Sequence, residues 1–104
     1  MNEERKISLD EYKTTFYLPD VITARMRLAY RGVMVQSQGS DLFMILRWQA
    51  FHRMGLITEW KSELWPDLEN DILEAEDPQV ADLVIAAVNS VFVKMSELEN
   101  IEKK

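Results

Sequence analysis

Apolar residues recur along the last quarter of this chain at intervals of three and four residues, the spacing of one helix face. Asp77-Pro78 marks the start of this predicted helix, because Asp accepts a hydrogen bond from a free helix N–H and Pro fits the first turn. The pattern therefore predicts a long final helix. Its apolar stripe consists of Val80, Val84, Ala87, Val88, Val91, Met95 and Leu98.

Three further apolar residues of this helix, Ile85, Phe92 and Val93, lie outside the stripe. An exposed surface helix has no need of apolar side chains there. The helix is therefore either enclosed in the core or presents a second apolar face to a partner.

Two earlier helices are predicted upstream. Leu18-Pro19-Asp20 resembles a helix start, with Asp20 as the capping residue, so a helix follows from about Val21 and ends before Gly39. A second helix runs from about Leu42 to Met54 and is apolar around much of its surface.

Turn-forming residues bound the second helix. A polar segment, 36–40, precedes it, and Ser40 or Asp41 can cap its first turn. Gly55 is the predicted C-cap, since glycine adopts the left-handed backbone that ends many helices.

The segment 56–64 has Leu56, Ile57, Trp60 and Leu64 at helical spacing and predicts a brief third helix, which Pro66 ends. Residues 65–77 form an acidic connection anchored by a few apolar side chains. Residues 1–18 are mixed, and two structures stay open for them: a short helix from Ser8 or an extended, flexible arm. The predicted fold is one all-α domain, 1–104, of about four helices.

Composition removes most enzyme classes. The 104 residues are 47% hydrophobic and 29% charged, with no cysteine, one histidine and three glycines. These counts exclude disulfides, thiolate metal sites, multi-histidine sites and glycine-rich phosphate loops. No uninterrupted apolar run approaches the about 20 residues of a membrane span. We expect a non-enzymatic protein without cofactor or metal, and the start of the chain lacks a secretory pattern, which predicts a cytoplasmic location.

Charge is divided along the chain although its net value is −6. The stretch 20–54 carries five arginines against two aspartates, whereas 59–82 carries nine acids and one lysine. One interpretation is that both stretches are solvated faces that keep the chain soluble. Alternatively, copies associate head to tail, arginines against acids. The self-association candidates are Arg25, Arg27, Arg31, Arg47, Arg53, Glu69, Asp71 and Glu74.

Other candidate chemistry is weak. His52 has no defined acid or base partner, and an EF-hand counted from Asp67 would need glycine and glutamate where Ile72 and Pro78 stand. The arginine-bearing helices permit a helix-turn-helix comparison, but their joining segment is long and the net charge opposes DNA.

A protein-binding surface is the better-supported hypothesis. Tryptophan is frequent at interface hot spots, and Trp65 borders the acidic connection. Methionine supplies adaptable walls to a groove. The candidate protein-binding residues are Trp65, Ile85, Phe92, Val93 and Met95.

The order of several segments resembles the small tail assembly chaperones of long-tailed bacteriophages and prophages. The resemblance spans about residues 18–98. It is carried by Leu18-Pro19-Asp20, Arg47-Trp48-Gln49-Ala50, the segment 56–67, Asp77-Pro78, and Met95-Ser96-Glu97-Leu98.

That resemblance implies a helical, non-enzymatic chaperone that binds the tape measure protein during tail assembly, self-associates, and helps recruit tail tube subunits in the host cytoplasm. The alternative is a small helical DNA-binding or repressor-interacting regulator, which the arginine-bearing helices favour.

Overall fold

A three-stranded sheet and three helices make up the computed structural model, which describes residues 3–36 and 41–102, with side chains for 3–31 and 43–100. The strands pair antiparallel in the order β1-β2-β3. The fold is therefore mixed α/β, and the prediction of an all-α domain is wrong. The elements are β1 (Lys6–Leu9), β2 (Thr14–Tyr17), α1 (Ala24–Gln36), α2 (Asp41–Arg53), β3 (Thr58–Ser62) and α3 (Pro78–Glu102).

Residues 3–18 form neither an extended arm nor a helix from Ser8. Strands β1 and β2 form a hairpin in which Ile7 pairs with Phe16 and Leu9 with Thr14. Ile7, Leu9, Thr14 and Phe16 are buried, whereas the strand residues that alternate with them are half-buried or exposed. This alternation is the period-two pattern of a half-buried sheet, and it overrides the short helical spacing.

The predicted third helix is also wrong, because residues 58–62 form the edge strand β3. The pairing skips a residue: Thr15 pairs with Lys61 and Tyr17 with Thr58, so two residues of β3 stand opposite Phe16. Glu59, with φ 53°, holds the left-handed backbone of this bulge. The extra residue disturbs strict alternation, which explains how the apolar residues of 56–64 matched a helix.

Helix α1 begins later than predicted. Its first turn is capped by Thr23, whose Oγ1 accepts a hydrogen bond from the Met26 N–H at 3.2 Å. Asp20 lies outside the helix, so its predicted capping role is wrong. Thr23 and Asp20 belong to the same class of capping residue, and their sequence context alone does not choose between them.

The end of α2 confirms the role predicted for Gly55. The Gly55 N–H donates to the His52 carbonyl, and the Leu56 N–H donates to the Phe51 carbonyl. Gly55 has φ +78°. This pair of bonds is a Schellman motif, which satisfies two helix-terminal carbonyls and turns the chain towards β3.

Helix α3 starts as predicted, since Asp77 Oδ1 accepts from the Gln79 N–H at 2.9 Å. Its predicted stripe is buried along its whole length. Pro78–Asn100 is also long and apolar enough to cross a membrane, contrary to the expectation from uninterrupted runs. In this fold one face of the same helix packs in the protein core.

The core joins both layers in one cluster. Strand residues contact aromatic residues of α2 and the inner stripe of α3, so neither layer could bury its apolar face alone. The predicted turn through Gly39, the cap at Ser40 and the residues Lys103-Lys104 lie outside the described residues. The principal core side chains are Ile7, Phe16, Leu18, Trp48, Phe51, Leu56, Leu83, Val88, Val91 and Met95.

Candidate protein-binding surface

An apolar groove of about 420 Å³ lies where α2, the acidic connection and the beginning of α3 meet. Met44 and Ile45 of α2 form one wall, and Ala81 and Ile85 of α3 form the other. The groove volume lies within the range of roughly 300–1,000 Å³ that is typical of small-molecule pockets in proteins. Its remaining lining residues are Ile72, Leu73, Ala75, Glu76, Asp77, Pro78, Val80 and Val84.

Large apolar side chains remain in contact with solvent along this groove. Ile45 is 43% exposed and Ile85 is 39% exposed, while Ile72 and Val80 beneath them are almost fully buried. Leu46, on the same helix as Ile45, is 47% exposed. Apolar surface rimmed by polar residues is typical of protein interaction sites.

Three hydrogen bonds between residues close in sequence stabilise the shape of the groove. Ser62 Oγ accepts from the Trp65 N–H, and the Trp60 indole N–H donates to the Trp65 carbonyl at 2.6 Å. Asp71 then accepts from the Leu73 N–H and caps the short 3₁₀ turn Ile72–Glu74. These bonds fix the acidic connection as an ordered wall beside α3.

The acidic connection accordingly packs as predicted, through a few apolar anchors. Ile72 is 3% exposed, and Leu68 and Leu73 contact the core while partly buried. Asp67 accepts from the Glu69 N–H, so this carboxylate also stabilises a local turn. The exposed Glu74 and Glu76 make no ion pair with any residue in the described ranges.

The predicted protein-binding residues do not share one surface. Ile85 lines the apolar groove, but Val93, 59% exposed, borders two other clefts, one beside Tyr30 and one beside β1. Phe92 is partly buried and packs against Tyr30 and Phe51, with ring centroids 5.3 and 5.2 Å apart. These aromatic contacts serve interhelical packing.

Met95 and Trp65 occupy two other environments. Met95 is 1% exposed and belongs to the core, so it offers a partner no surface in this conformation. Trp65 is half-buried, and its indole N–H donates to the Asn70 carbonyl at 3.4 Å. Trp65 therefore organises the acidic connection on which the groove depends.

Three of the five candidate arginines are engaged within the protomer. Arg27 and Arg31 of α1 both reach Glu99 Oε1 of α3, at 3.8 and 3.3 Å. The Arg47 guanidinium lies 4.9 Å from the centroid of the Phe92 ring. Arg25 and Arg53 are exposed, as are the acidic candidates Glu69, Asp71 and Glu74.

The comparisons with known proteins give no family. No family model, curated protein or solved structure matches the chain. Function must therefore be argued from the residues of the groove and its surroundings.

Titratable side chains do not assemble a reactive centre around this groove. His52 is exposed and stacks on Trp48 with ring centroids 5.9 Å apart. Within residues 3–36 and 41–102, no three His, Asp or Glu side chains converge as a metal site would require. The chemistry that the groove itself offers is apolar contact beside carboxylates.

Met44 is one of the methionines that the sequence offered as a groove wall, whereas Ile45 beside it and Glu99 were not among the candidate residues. A usable signal existed for Ile45, because the apolar residues of α2 cover more of its circumference than burial on one side requires. Glu99 gave no such signal, since its partners Arg27 and Arg31 are distant in sequence and meet it only in the folded protein.

Proposed function

We propose that this chain is a non-enzymatic assembly chaperone that holds an apolar helical segment of a long client protein. In the resemblance described above, that client is the tape measure protein of a long-tailed bacteriophage, bound in the host cytoplasm before tail tube subunits assemble. Self-association of several copies along the client belongs to the same proposal.

The observation that carries the proposal is the apolar groove with Ile45 and Ile85 partly exposed. A helix laid in such a groove buries its apolar face through residues spaced three and four apart. Burial of apolar surface contributes about 25 cal/mol per Å², so even a short helix segment gains from binding there.

The alternative function, a small helical DNA-binding or repressor-interacting regulator, receives less support. Two of the arginines on α1 reach the Glu99 carboxylate, which reduces the positive charge available to a phosphate backbone. We therefore retain the chaperone as the proposed function.

Co-expression tests the proposal directly. We expect the reading frame downstream of this chain's gene to encode a long, helical protein that is insoluble when made alone and soluble with the wild-type chain. Ile45→Asp combined with Ile85→Asp places charge on both groove walls and should lower the soluble yield of the client by about fivefold or more.

Val93→Asp is the matched control, because Val93 is an even more exposed apolar residue of the same helix outside the groove. It should leave the client soluble. The tail-assembly role is wrong if no long helical protein is encoded nearby, or if the downstream protein is equally insoluble with and without the wild-type chain.

A further inference from the structure

The apolar groove has a strongly one-sided electrostatic border. Glu76 and Asp77 line it, and Glu74 is exposed on the 3₁₀ turn immediately before them. Between residues 62 and 93 the chain contains no lysine, arginine or histidine. The same stretch contains eight acids, which are Glu63, Asp67, Glu69, Asp71, Glu74, Glu76, Asp77 and Asp82.

Internal partners neutralise little of this charge. Lys13 pairs with Glu63 at 3.4 Å, far along the chain from the groove residues, and both side chains are largely exposed. Asp71 and Asp77 accept backbone N–H groups, which leaves their negative charge in place. For the described residues, Glu74 and Glu76 have no cationic partner.

Apolar contact alone would accept any helix with an apolar face of suitable length. A charged border selects among such helices by their charge. Opposite charges across an interface guide encounter, and like charges placed against each other penalise the wrong partner. An acidic helix would bring its carboxylates against Glu74 and Glu76 without a compensating cation.

We propose that this groove receives an amphipathic helix whose apolar side chains are flanked by lysine or arginine facing residues 74–77. The inference rests on the proposed chaperone function and adds the chemistry by which a client segment is chosen. The apolar side chains enter between Ile45 and Ile85, and the cations pair with Glu74 and Glu76 at the border.

Two synthetic peptides test the inference on the full-length protein. Each is a fluorescein-labelled helix of about 18 residues, or five turns, with leucine along one face. The remaining positions are lysine in one peptide and glutamate in the other. We expect the lysine peptide to bind at least about tenfold more tightly at about 0.15 M salt, measured by fluorescence anisotropy.

Substitutions then locate the binding site. Ile85→Asp should weaken binding of the lysine peptide by about tenfold or more, while Val93→Asp should leave it within about twofold. Ile45→Asp provides a second test of the groove on the other wall. Circular dichroism and thermal unfolding of every variant establish that each remains folded.

The charge contribution has its own pair of double variants, which change the net charge by four units at the groove and by three units outside it. Glu74→Lys combined with Glu76→Lys should reduce the preference for lysine over glutamate by at least about fivefold. Glu69→Lys combined with Asp67→Asn alters the same acidic connection outside the groove and should leave that preference nearly unchanged. An equal loss in both pairs would show a diffuse charge effect and overturn the inference.

Three other outcomes also overturn it: equal binding of the two peptides, loss of binding in Val93→Asp but not Ile85→Asp, or oligomers that the lysine peptide dissociates and that persist when Arg25→Glu is combined with Arg53→Glu. The last result would assign the groove to a second copy of this chain. Soluble co-expression of the client with no peptide selectivity would reject only this inference. Peptide selectivity without any effect on the client would reject the proposed function and leave the groove chemistry intact.

Discussion

Left-handed backbone marks the places where this chain changes direction. Lys13 has φ 48° between β1 and β2, Glu59 has φ 53° in the bulge of β3, and Gly55 has φ +78° after α2. Residues with a Cβ adopt this backbone region at a cost in free energy, whereas glycine adopts it without that cost. Glycine is therefore used at one of these three described turns and not at the other two.

Gly55→Ala should lower the free energy of unfolding by about 1 kcal/mol, because alanine is strained in the left-handed region. A Cβ at this position would lie 3.6 Å from Met26 Cε, an ordinary contact, so the loss is conformational and not steric. Urea unfolding measures it. Gly55→Asn, which tolerates positive φ better, should lose less than Gly55→Ala. Equal losses would point to packing instead.

Tyr30 connects stability to alkaline pH. Burial raises the pKa of the Tyr30 hydroxyl, and the Glu99 carboxylate raises it further, while Arg31 and a hydrogen bond with Ser96 act in the opposite direction. The unfolded chain therefore loses this proton at a lower pH than the folded protein. Stability is retained below about pH 10 and falls as pH rises through the folded pKa.

Tyr30→Phe should flatten part of this decline when the free energy of unfolding is measured by urea between about pH 8 and pH 11. Tyr17→Phe, which removes a hydroxyl from the half-buried outer side of the sheet, serves as the control. A decline that is identical in wild type and Tyr30→Phe would contradict the role given to Tyr30.

At the scale of whole elements, α1 buries few of the side chains described for it, which are those of residues 24–31. Among its residues with described side chains, only Tyr30 is buried, and Leu28 is 69% exposed. Its attachment to α3 depends on the aromatic contact of Tyr30 with Phe92 and on the two arginines that reach Glu99. The carboxylate of Glu99 therefore joins the two helices.

Glu99→Gln should lower the free energy of unfolding by about 1 kcal/mol, since the carboxylate serves two partly exposed arginines. The loss should shrink at high salt, where such pairs are screened. Glu97→Gln is the control, because in the described part of the chain Glu97 pairs with the nearby Lys94 and is 58% exposed in its side chain. A Glu97→Gln loss as large as that of Glu99→Gln would contradict the joining role.

The elements that the sequence predicted correctly carry their own local signals. Helix α3 has a start at Asp77-Pro78 and a regular stripe, and α2 has Gly55 at its end. The wrong predictions from the sequence concern strands, whose pairing partners are distant along the chain. β3 is defined by pairing with β2 across about 40 residues, and the Glu59 bulge interrupts the alternation that could have identified it.

Site prediction divides in the same way. The surplus apolar residues of α3 include one that lines the groove, Ile85, but their periodicity does not say which ones face α2 and which face α1. Residues 85 and 93 are eight positions apart, about 12 Å along the helix axis, so they reach different neighbours. Only the packing of α2 against α3 brings Ile45 to the groove.

At the scale of the whole molecule, fewer arginines are available to a second copy than the sequence implies. Arg27, Arg31 and Arg47 have partners within the protomer, so a head-to-tail contact between copies depends mainly on Arg25 and Arg53. The acidic side of that contact remains exposed in the connection 65–77.

Self-association therefore stays a prediction with a sharper test. Sedimentation should show a larger mass at about 0.02 M salt than at about 0.5 M salt, because ion pairs at a surface are screened. Arg25→Glu combined with Arg53→Glu should remove the difference, and Lys61→Glu on the sheet should not. A single monomeric species at both salt concentrations would reject association.

The order of the strands also has a consequence for synthesis on the ribosome. The Thr14 hydroxyl donates to the Tyr12 carbonyl and meets the Ser62 hydroxyl at 2.7 Å, across 48 positions. The β1–β2 hairpin is synthesised first, and the sheet is complete only after residue 62 has left the ribosome. Phe16 and Leu18 are covered only after α3 has been synthesised. A nascent chain whose translation pauses before residue 78 exposes this apolar surface. Translation without such a pause shortens the time during which the incomplete chain can aggregate.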